Sequence, residues 1–317
     1  MVLSPGETDF PEIPPRPPVS LWLDRSFVWA TRLFAFGVVG VLVYIAIVVG
    51  LDAQPAMERY GLAFLTTSAW NPVNDTYGAL PMIYGTLVSS LIALLLAVPI
   101  GVGTAVFLSE NFLPPTPRLV LNFMVELLAA IPSVVYGLWG IYVLIPFLKP
   151  IGAWLHSHWG WIPLFSTQYL GPGLFPAGII LTVMILPLIT AISRDSLVSL
   201  PPTLRQAALG LGATRWTAIF RVLIPAAFSG IVGGTMLALG RAMGETMAVT
   251  MVIGNSNVLS PSLLAPANTI ASLLANQFAE ARDLQISALM YAGLVLFGLT
   301  LIVNVLAEWI VSRVKYY

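Results

Sequence analysis

Two charged side chains, Arg241 and Glu245, stand inside the long apolar stretch Ala226–Gly254. A charge near the centre of a bilayer costs roughly 2.5–3.5 kcal/mol on insertion scales, so such a residue normally faces the interior of a helix bundle or a water-filled path. Residues four apart in a helix share one face, which predicts that the two side chains neutralise each other. A guanidinium can bind two oxygens of a phosphate and keeps its charge at any relevant pH. We therefore predict that Arg241 is a transient oxyanion contact on a translocation path, held by Glu245. The alternative is a purely structural pair.

Three further polar residues are candidates for the same path. Glu126 lies in another apolar stretch, where it could line the inner mouth of the path or pair with an arginine near the interface such as Arg118. Ser133 follows Pro132, a point where carbonyls freed by the proline and a hydroxyl could line a passage. Its alternative role is a hydroxyl bonded back to its own helix. Thr246, next to Glu245, is a weaker candidate.

The apolar stretches that would carry these residues predict an all-α membrane protein. The chain has 317 residues, of which 58% are hydrophobic and 9% charged, whereas a soluble domain has about 25% charged residues. A helix needs about 20 apolar residues to cross a bilayer. Six stretches meet this requirement and predict six transmembrane helices: Leu33–Leu51, Leu87–Leu108, Leu119–Leu148, Leu174–Ile192, Ala226–Gly254 and Ile286–Val311.

Composition also excludes several kinds of chemistry. The chain has no cysteine, and its 14 basic and 14 acidic residues cancel, which argues against thiolate chemistry and against nucleic acid as a partner. Neither of its lysines, Lys149 and Lys315, follows a glycine-rich loop, so a P-loop is absent and any ATP hydrolysis must come from another subunit. We expect no cofactor in this chain. His156 and His158 could ligate zinc but lack an evident third ligand, which favours ordinary interfacial histidines.

Basic residues near the ends of the spans predict the orientation, because cytoplasmic loops are enriched in arginine and lysine. With the N-terminus inside, ten basic residues are cytoplasmic and three external. The cytoplasmic set is Arg16, Arg25, Arg32, Arg118, Arg194, Arg205, Arg215, Arg221, Arg313 and Lys315, and the external set is Arg59, Lys149 and Arg282. Both termini are therefore predicted to be cytoplasmic. Residues 1–26 are predicted to be a disordered proline-rich tail, 27–51 the first transmembrane helix and 80–317 the core.

One predicted cytoplasmic segment, Ser193–Pro225, is too polar to cross the membrane and too apolar to be disordered. Helix-forming residues at Thr203–Leu209 are followed by two glycines and then by a second short helix, about Thr214–Leu223. This second helix carries Arg215 and Trp216. The segment is thus predicted to present an apolar and cationic knob to a cytoplasmic partner.

A motif in this segment resembles the EAA loop of ABC importer permeases, whose pattern is E-A-A-x3-G-x9-I-x-L-P. The matching residues are Gln206-Ala207-Ala208-x-x-x-Gly212, followed nine residues later by Val222-x-Ile224-Pro225. Glutamine replaces the first glutamate, so an ion pair made there in relatives is in doubt. The resemblance implies a MetI-like permease fold. It also implies a coupling helix that docks on an ATPase subunit through Gln206, Ala207, Ala208, Gly212, Arg215 and Trp216.

Two stretches resemble the phosphate-importer permeases in particular: ELLAAIPSVVYG from Glu126 and GRAMGETMAV from Gly240. The end of the second, Met247-Ala248-Val249, is more similar to the C-type (PstC) subunit than to its A-type partner. The resemblance implies a multi-pass protein of the bacterial inner membrane. Its implied partners are an A-type second permease subunit in a heterodimer, a dimer of ATPase subunits, an external phosphate-binding protein and membrane lipid.

Other functions remain open at this stage. An arginine alone does not distinguish phosphate from sulfate, molybdate or phosphonate. An ion-coupled secondary transporter or channel would use the same buried charges without an ATPase. An intramembrane enzyme is disfavoured because no H-E-x-x-H motif is present and no histidine follows Gly254-Asn255-Ser256 to serve as a base.

Overall fold

The computed structural model describes residues 18–110 and 112–314, and most of these residues are helical. The thirteen α-helices of this part of the chain are α1 (Pro18–Tyr60), α2 (Leu80–Ser109), α3 (Pro115–Ala130), α4 (Ser133–Trp139), α5 (Ile145–Trp159), α6 (Leu174–Val198), α7 (Pro202–Gly210), α8 (Arg215–Ala218), α9 (Ile224–Ala226), α10 (Phe228–Gly244), α11 (Met247–Val252), α12 (Ile270–Gln277) and α13 (Leu284–Val314). Single π-helical turns join α4 to α5 (Gly140–Leu144) and α8 to α9 (Ile219–Leu223). Short 3₁₀ helices occur at Gly61–Leu65 and Pro163–Phe165. Strands β1 (Trp70–Asn71) and β2 (Thr76–Tyr77) form an antiparallel pair.

The chain divides into two units, Met1–Val48 and Val49–Tyr317, and α1 runs through the boundary. In the first unit the described residues are helical from Pro18 onward, so residues 18–26, predicted to be the end of the disordered proline-rich tail, are helical. The rest of the predicted tail, including Arg16, lies outside the described residues, as does Lys315.

Five helical stretches are long and apolar enough to cross a membrane: Asp24–Leu65, Leu80–Ser109, Ser133–Trp159, Leu174–Val198 and Leu284–Trp309. A sixth is formed if the pair Arg215–Ala226 and Phe228–Gly244, bent by 66° at Ala227, counts as one span. The predicted all-α membrane fold is therefore confirmed, with a two-stranded hairpin as a small addition.

The third predicted span, Leu119–Leu148, is wrong as a continuous helix. Helix α3 ends at Ala130, and Ile131 adopts an extended conformation (φ −67°, ψ 127°) before Pro132. A proline disfavours the helical conformation of the residue before it and cannot donate to the preceding turn. The apolar helix that follows begins at Ser133 and continues to Trp159, so Lys149 lies within it and not in a loop.

His156 and His158 also lie in this helix. His156 Nδ1 is 2.9 Å from the carbonyl oxygen of Phe165, and His158 Nδ1 is 3.0 Å from that of Trp154. Within residues 18–110 and 112–314 no group of three histidine, aspartate or glutamate side chains is placed to hold a metal ion.

The core of the larger unit is built on the close packing of α2 against α6. Gly178 of α6 admits Ile92 of α2, because a Cβ at Gly178 would lie 2.5 Å from Ile92 Cγ2. In the opposite sense, Gly101 of α2 admits Ile189 of α6. Buried side chains of α10 and α11 complete this core, including Ala238, Ala242, Val249 and Val252. The helices that carry the predicted site are thus anchored directly on the α2–α6 pair.

Candidate translocation face and coupling segment

Arg241 and Glu245 do not form the predicted pair. Helix α10 ends at Gly244, and Glu245 is extended (φ −68°, ψ 124°), so the two residues are not four apart in one continuous helix. Neither makes an ion pair within 4.0 Å with any residue that the structure describes. Glu245 instead turns toward α11, where its Oε1 accepts a hydrogen bond of 3.3 Å from the backbone N–H of Ala248.

Helix α10 has one open face, and Arg241 lies on it. The exposed residues of this face are Gly233, Leu237, Arg241 and Gly244, which recur at helical spacing. A Cβ added at Gly233 or Gly244 would meet no described atom within 4 Å. Leu237 is 63% exposed. The guanidinium therefore sits on an uncovered face with small neighbours, which is named here the α10 open face.

Other positions on α10 are packed tightly against α6. A Cβ at Gly230 would lie 2.0 Å from Ser196 Oγ, and one at Gly234 would lie 2.9 Å from the Cβ and Cγ2 of Ile192. Both contacted residues belong to α6. The glycines of α10 thus serve two purposes. Gly230 and Gly234 allow close packing against α6, whereas Gly233 and Gly244 leave the α10 open face without side chains at their positions.

The two hydroxyl candidates each lie beside a break between helices, Thr246 between α10 and α11 and Ser133 directly after the break between α3 and α4. Thr246, half-buried, sits at the break between α10 and α11, and its Oγ1 donates to the carbonyl of Gly244 at 3.1 Å. Ser133, also half-buried, begins α4, and its hydroxyl makes no hydrogen bond with any described residue. Helix α4 packs closely on α11 at Gly137. A Cβ at this glycine would lie 2.4 Å from Sδ of Met251 and 3.3 Å from Cα of Ala248.

Tyr136 links these breaks to α3. Its hydroxyl donates at 2.8 Å to the carbonyl of Leu128, near the end of α3, and the N–H of Ile131 donates to the same oxygen at 3.4 Å. The positive charge of Arg241 is near enough to act on this hydroxyl. The sequence reasoning did not single out Tyr136, although it belongs to the ELLAAIPSVVYG stretch.

Glu126 lies on α3, which ends before Pro132 and is not part of a continuous span. Its side chain is 63% exposed and its Oε1 is 4.0 Å from Nη1 of Arg194, an exposed pair of small energetic value. Arg194 makes a closer ion pair of 2.8 Å with Asp195. A cavity of about 450 Å³ is lined by these three residues together with Arg118 and Asn122. Glu126 therefore lies beside Arg194 and not in a continuous span, and its role at the inner mouth of the path stays a prediction.

The coupling segment has the predicted helix–glycine–helix form. Helix α7 ends at Gly210, and Gly212 has φ +83°, a left-handed conformation that glycine adopts without strain. Thr214 begins α8, and its Oγ1 accepts from the N–H of Thr217 at 3.3 Å. The second helix then continues through the π-helical turn and α9 to α10, so the segment leads into the α10 open face through the bend at Ala227.

The predicted coupling residues divide by exposure. Gln206, Ala207, Gly212, Arg215 and Trp216 are exposed. Ala208 is buried against the rest of the chain. The exposed set forms a surface, and Trp216, whose side chain is 58% exposed, is its largest apolar member.

The sequence did not single out two residues that hold this segment, Glu110 and Phe112. Arg205 forms a bidentate ion pair with Glu110, with Nη2–Oε1 at 2.6 Å and Nε–Oε2 at 3.0 Å. The guanidinium of Arg215 lies 4.2 Å from the centre of the Phe112 ring. One signal was available, because Glu110 is the sole acidic residue between Asp75 and Glu126.

Comparison with known proteins identifies the family. The family model of binding-protein-dependent transport system inner membrane components matches residues 97–316. A phosphate transport system permease protein PstC from Mesorhizobium japonicum is 45% identical over 298 residues, which cover 92% of this chain and 90% of the relative.

Solved structures share the fold. A bacterial ABC transporter involved in the import of the acidic polysaccharide alginate aligns with a TM-score of 0.55 at 18% identity, over 93% of this chain and 99% of its own. An inward-facing MetNI methionine ABC transporter aligns with a TM-score of 0.52 at 20% identity, over 75% and 94%. Both confirm the MetI-like permease fold. The chain belongs to the binding-protein-dependent transport system inner membrane component family, and within it to the PstC-type permeases.

Proposed function

We propose that this chain is a membrane permease subunit of an ATP-driven phosphate importer and forms part of its translocation path. The observation that carries the proposal is the continuity between the coupling segment and the α10 open face, where Arg241 is exposed. A conformational change imposed on α7 and α8 would reach this arginine through the π-helical turn, α9 and the 66° bend at Ala227. The 45% identity to a phosphate transport permease supports phosphate as the transported anion.

Arg241 is the proposed oxyanion contact. Its guanidinium offers paired N–H donors that match phosphate oxygens, and no carboxylate among the described residues holds it in an ion pair. Conduction requires binding weak enough for release. Exposure on an open face provides this, because water competes for the same donors. Glu245 then acts by fixing the start of α11, and Ser133 and Thr246 supply hydroxyls near the two breaks.

The proposed orientation places the coupling segment and both termini in the cytoplasm. The exposed residues Gln206, Ala207, Gly212, Arg215 and Trp216 would contact an ATPase subunit, with Ala208 packed beneath them. The complete importer would contain a second, A-type permease facing the α10 open face, two ATPase subunits and an external phosphate-binding protein. Glu126 would lie on the cytoplasmic side, where it pairs with Arg194.

The test of the function is purification from native membranes followed by reconstitution. We expect a distinct permease and an ATPase to co-purify with this chain, and the complex in liposomes to take up phosphate only with ATP and binding protein. Uptake that continues without ATP and collapses with the proton gradient would contradict the proposal.

Because the chain has no cysteine, single cysteines can be introduced into it to test the path by thiol modification. Gly240→Cys lies at the margin of the α10 open face, where a Cβ meets no described atom within 4 Å, whereas Ala238→Cys is fully buried. In the assembled complex, a charged thiol reagent should modify the first variant, more slowly when phosphate is present, and spare the second. Equal modification of both, or no effect of phosphate, would contradict the path assignment.

A further inference from the structure

The connection after α2 is held to the coupling segment by an ion pair whose carboxylate is buried. Glu110, the residue that follows α2, is only 5% exposed, and both of its carboxylate oxygens accept from Arg205 of α7. Its backbone is fixed as well, since its N–H donates to Val106 and its carbonyl accepts from Arg118 Nη2 at 3.1 Å. A buried carboxylate requires such a partner, because an unpaired charge there is strongly unfavourable.

A second contact holds the same connection two residues further along. The guanidinium of Arg215, on α8, lies over the ring of Phe112 at 4.2 Å, a cation–π geometry. Phe112 also contacts Trp216, with 5.6 Å between ring centres. A cavity of about 320 Å³ lies between the two contacts and is lined by Glu110, Arg205 and Arg215. The two short helices of the coupling segment therefore each hold the connection through one arginine.

Apolar packing continues from these contacts into the bundle. Ala105 and Val106 at the end of α2, Leu197 of α6, and Ile219 and Leu223 of the π-helical turn form one buried cluster. Glu110 directly follows this end of α2. A displacement of α7 or α8 would therefore either break that helix's own contact, Arg205–Glu110 for α7 or Arg215–Phe112 for α8, or move the end of α2.

We propose that Glu110 and Phe112 are positioning residues for energy coupling. Through them the coupling segment moves α2, and with it the α2–α6 core, in addition to α10. This inference rests on the proposed function. A movement of the docking surface would then be transmitted along two routes. One route follows the backbone through Ala227 to the α10 open face, and the other passes through the side-chain contacts of Arg205 and Arg215 to α2.

The test measures phosphate transported per ATP hydrolysed by the complete complex in liposomes. Glu110→Gln keeps the size of the side chain but removes the charge that Arg205 requires. Coupling between sites typically changes an equilibrium 5- to 150-fold, so we expect transport per ATP to fall by about tenfold while basal ATP hydrolysis by the assembled complex is retained. Glu308→Gln, which removes an exposed charge near the end of α13, is the matched control and should keep the wild-type ratio.

Two further variants separate positioning from stability. Phe112→Ala should lower the same ratio without leaving a buried charge unpaired. The exchange Glu110→Arg with Arg205→Glu should restore part of the ratio lost in Glu110→Gln. If Glu110→Gln does not assemble, Phe112→Ala decides the matter.

The outcomes distinguish this inference from the proposed function. If the wild-type complex transports phosphate with ATP but assembled Glu110→Gln and Phe112→Ala have the wild-type ratio, the positioning role is refuted and the pair only stabilises the fold. If the wild-type complex does not transport phosphate at all, the proposed function itself fails.

Discussion

Replacing Gly85 by alanine should destabilise the chain strongly, because α2 and the segment before α12 touch at this glycine. A Cβ at Gly85 would lie 2.0 Å from the backbone carbonyl oxygen of Asn268 and 3.0 Å from its carbon. A backbone carbonyl cannot rotate away as a side chain can. The two atoms would have to separate by about 1.4 Å to reach ordinary van der Waals contact.

This separation would also break a buried hydrogen bond. Thr86, next to Gly85, is 1% exposed, and its Oγ1 accepts from the N–H of Ile270 at 3.1 Å. Overpacking of a well-packed core costs about 1–3 kcal/mol. An unsatisfied buried donor costs about 1–3 kcal/mol more. The better helix propensity of alanine returns about 0.5–1 kcal/mol. We expect a net loss of about 1–5 kcal/mol in the free energy of unfolding.

The matched control is Gly103→Ala on the same helix, where a Cβ would meet no described atom within 4 Å. This variant should be as stable as the wild type or more stable by about 0.5–1 kcal/mol, from helix propensity alone. Thermal unfolding of the purified protein in detergent, followed by light scattering and tryptophan fluorescence, measures both. Equal midpoints for Gly85→Ala and Gly103→Ala would refute the close approach of α2 to Asn268.

Three further predictions test other parts of the fold through thermal stability, the last of them as a function of pH. Gly234→Ala should be less stable than Gly233→Ala, since a Cβ at Gly234 lies 2.9 Å from Ile192 while one at Gly233 is free; equal stabilities would contradict the division of α10 into two faces. Gly212→Ala should lose about 1–2 kcal/mol from its positive φ alone, because there is space for the methyl group; an unchanged midpoint would place Gly212 outside the left-handed region. Burial raises the pKa of Tyr169 to about 12, so the folded protein keeps a proton that the unfolded chain loses near pH 10 and stability falls between pH 10 and 12. Tyr169→Phe, which also removes a buried hydroxyl without a hydrogen-bond partner, should reduce this fall, and an identical pH dependence would contradict the burial.

The spans could be predicted where length and apolarity alone decide them. The apolar stretches Leu87–Leu108, Leu174–Ile192 and Ile286–Val311 all lie within helices α2, α6 and α13. A membrane-crossing helix must satisfy its backbone hydrogen bonds internally, so a long apolar stretch has few other conformations. The coupling segment was predictable for a different reason, since glycines separate its two short helices.

The breaks in the helices could not be predicted from prolines alone. Pro99 and Pro187 lie inside the continuous helices α2 and α6, whereas Pro132 ends α3. The difference lies in tertiary packing, which in one case supports the helix around the proline and in the other supports a break. The break at Glu245 has no proline at all, and its cost is offset by the hydrogen bond to Ala248 and the packing of α11 on α4.

Contacts between distant parts of the chain were also beyond sequence reasoning. Glu110 and Arg205 are 95 residues apart. Glu110 is the sole acidic residue between Asp75 and Glu126, but nothing in the sequence points to Arg205 as its partner. The predicted Arg241–Glu245 pair failed because helical spacing was assumed across a point where the helix ends. In both cases the decisive information was the path of the backbone.

The most direct test of the account is ATP-driven phosphate uptake by the reconstituted complex carrying Arg241→Gln. A hydrogen bond to a charged group is worth about 1.5–3 kcal/mol, so uptake at limiting phosphate should fall by about tenfold or more. Arg313→Gln, which replaces an exposed arginine in the last turn of α13, serves as the control and should transport normally. Assembly and basal ATP hydrolysis should be retained in both variants. Wild-type uptake by an assembled Arg241→Gln complex would contradict the claim that this guanidinium contacts the passing anion.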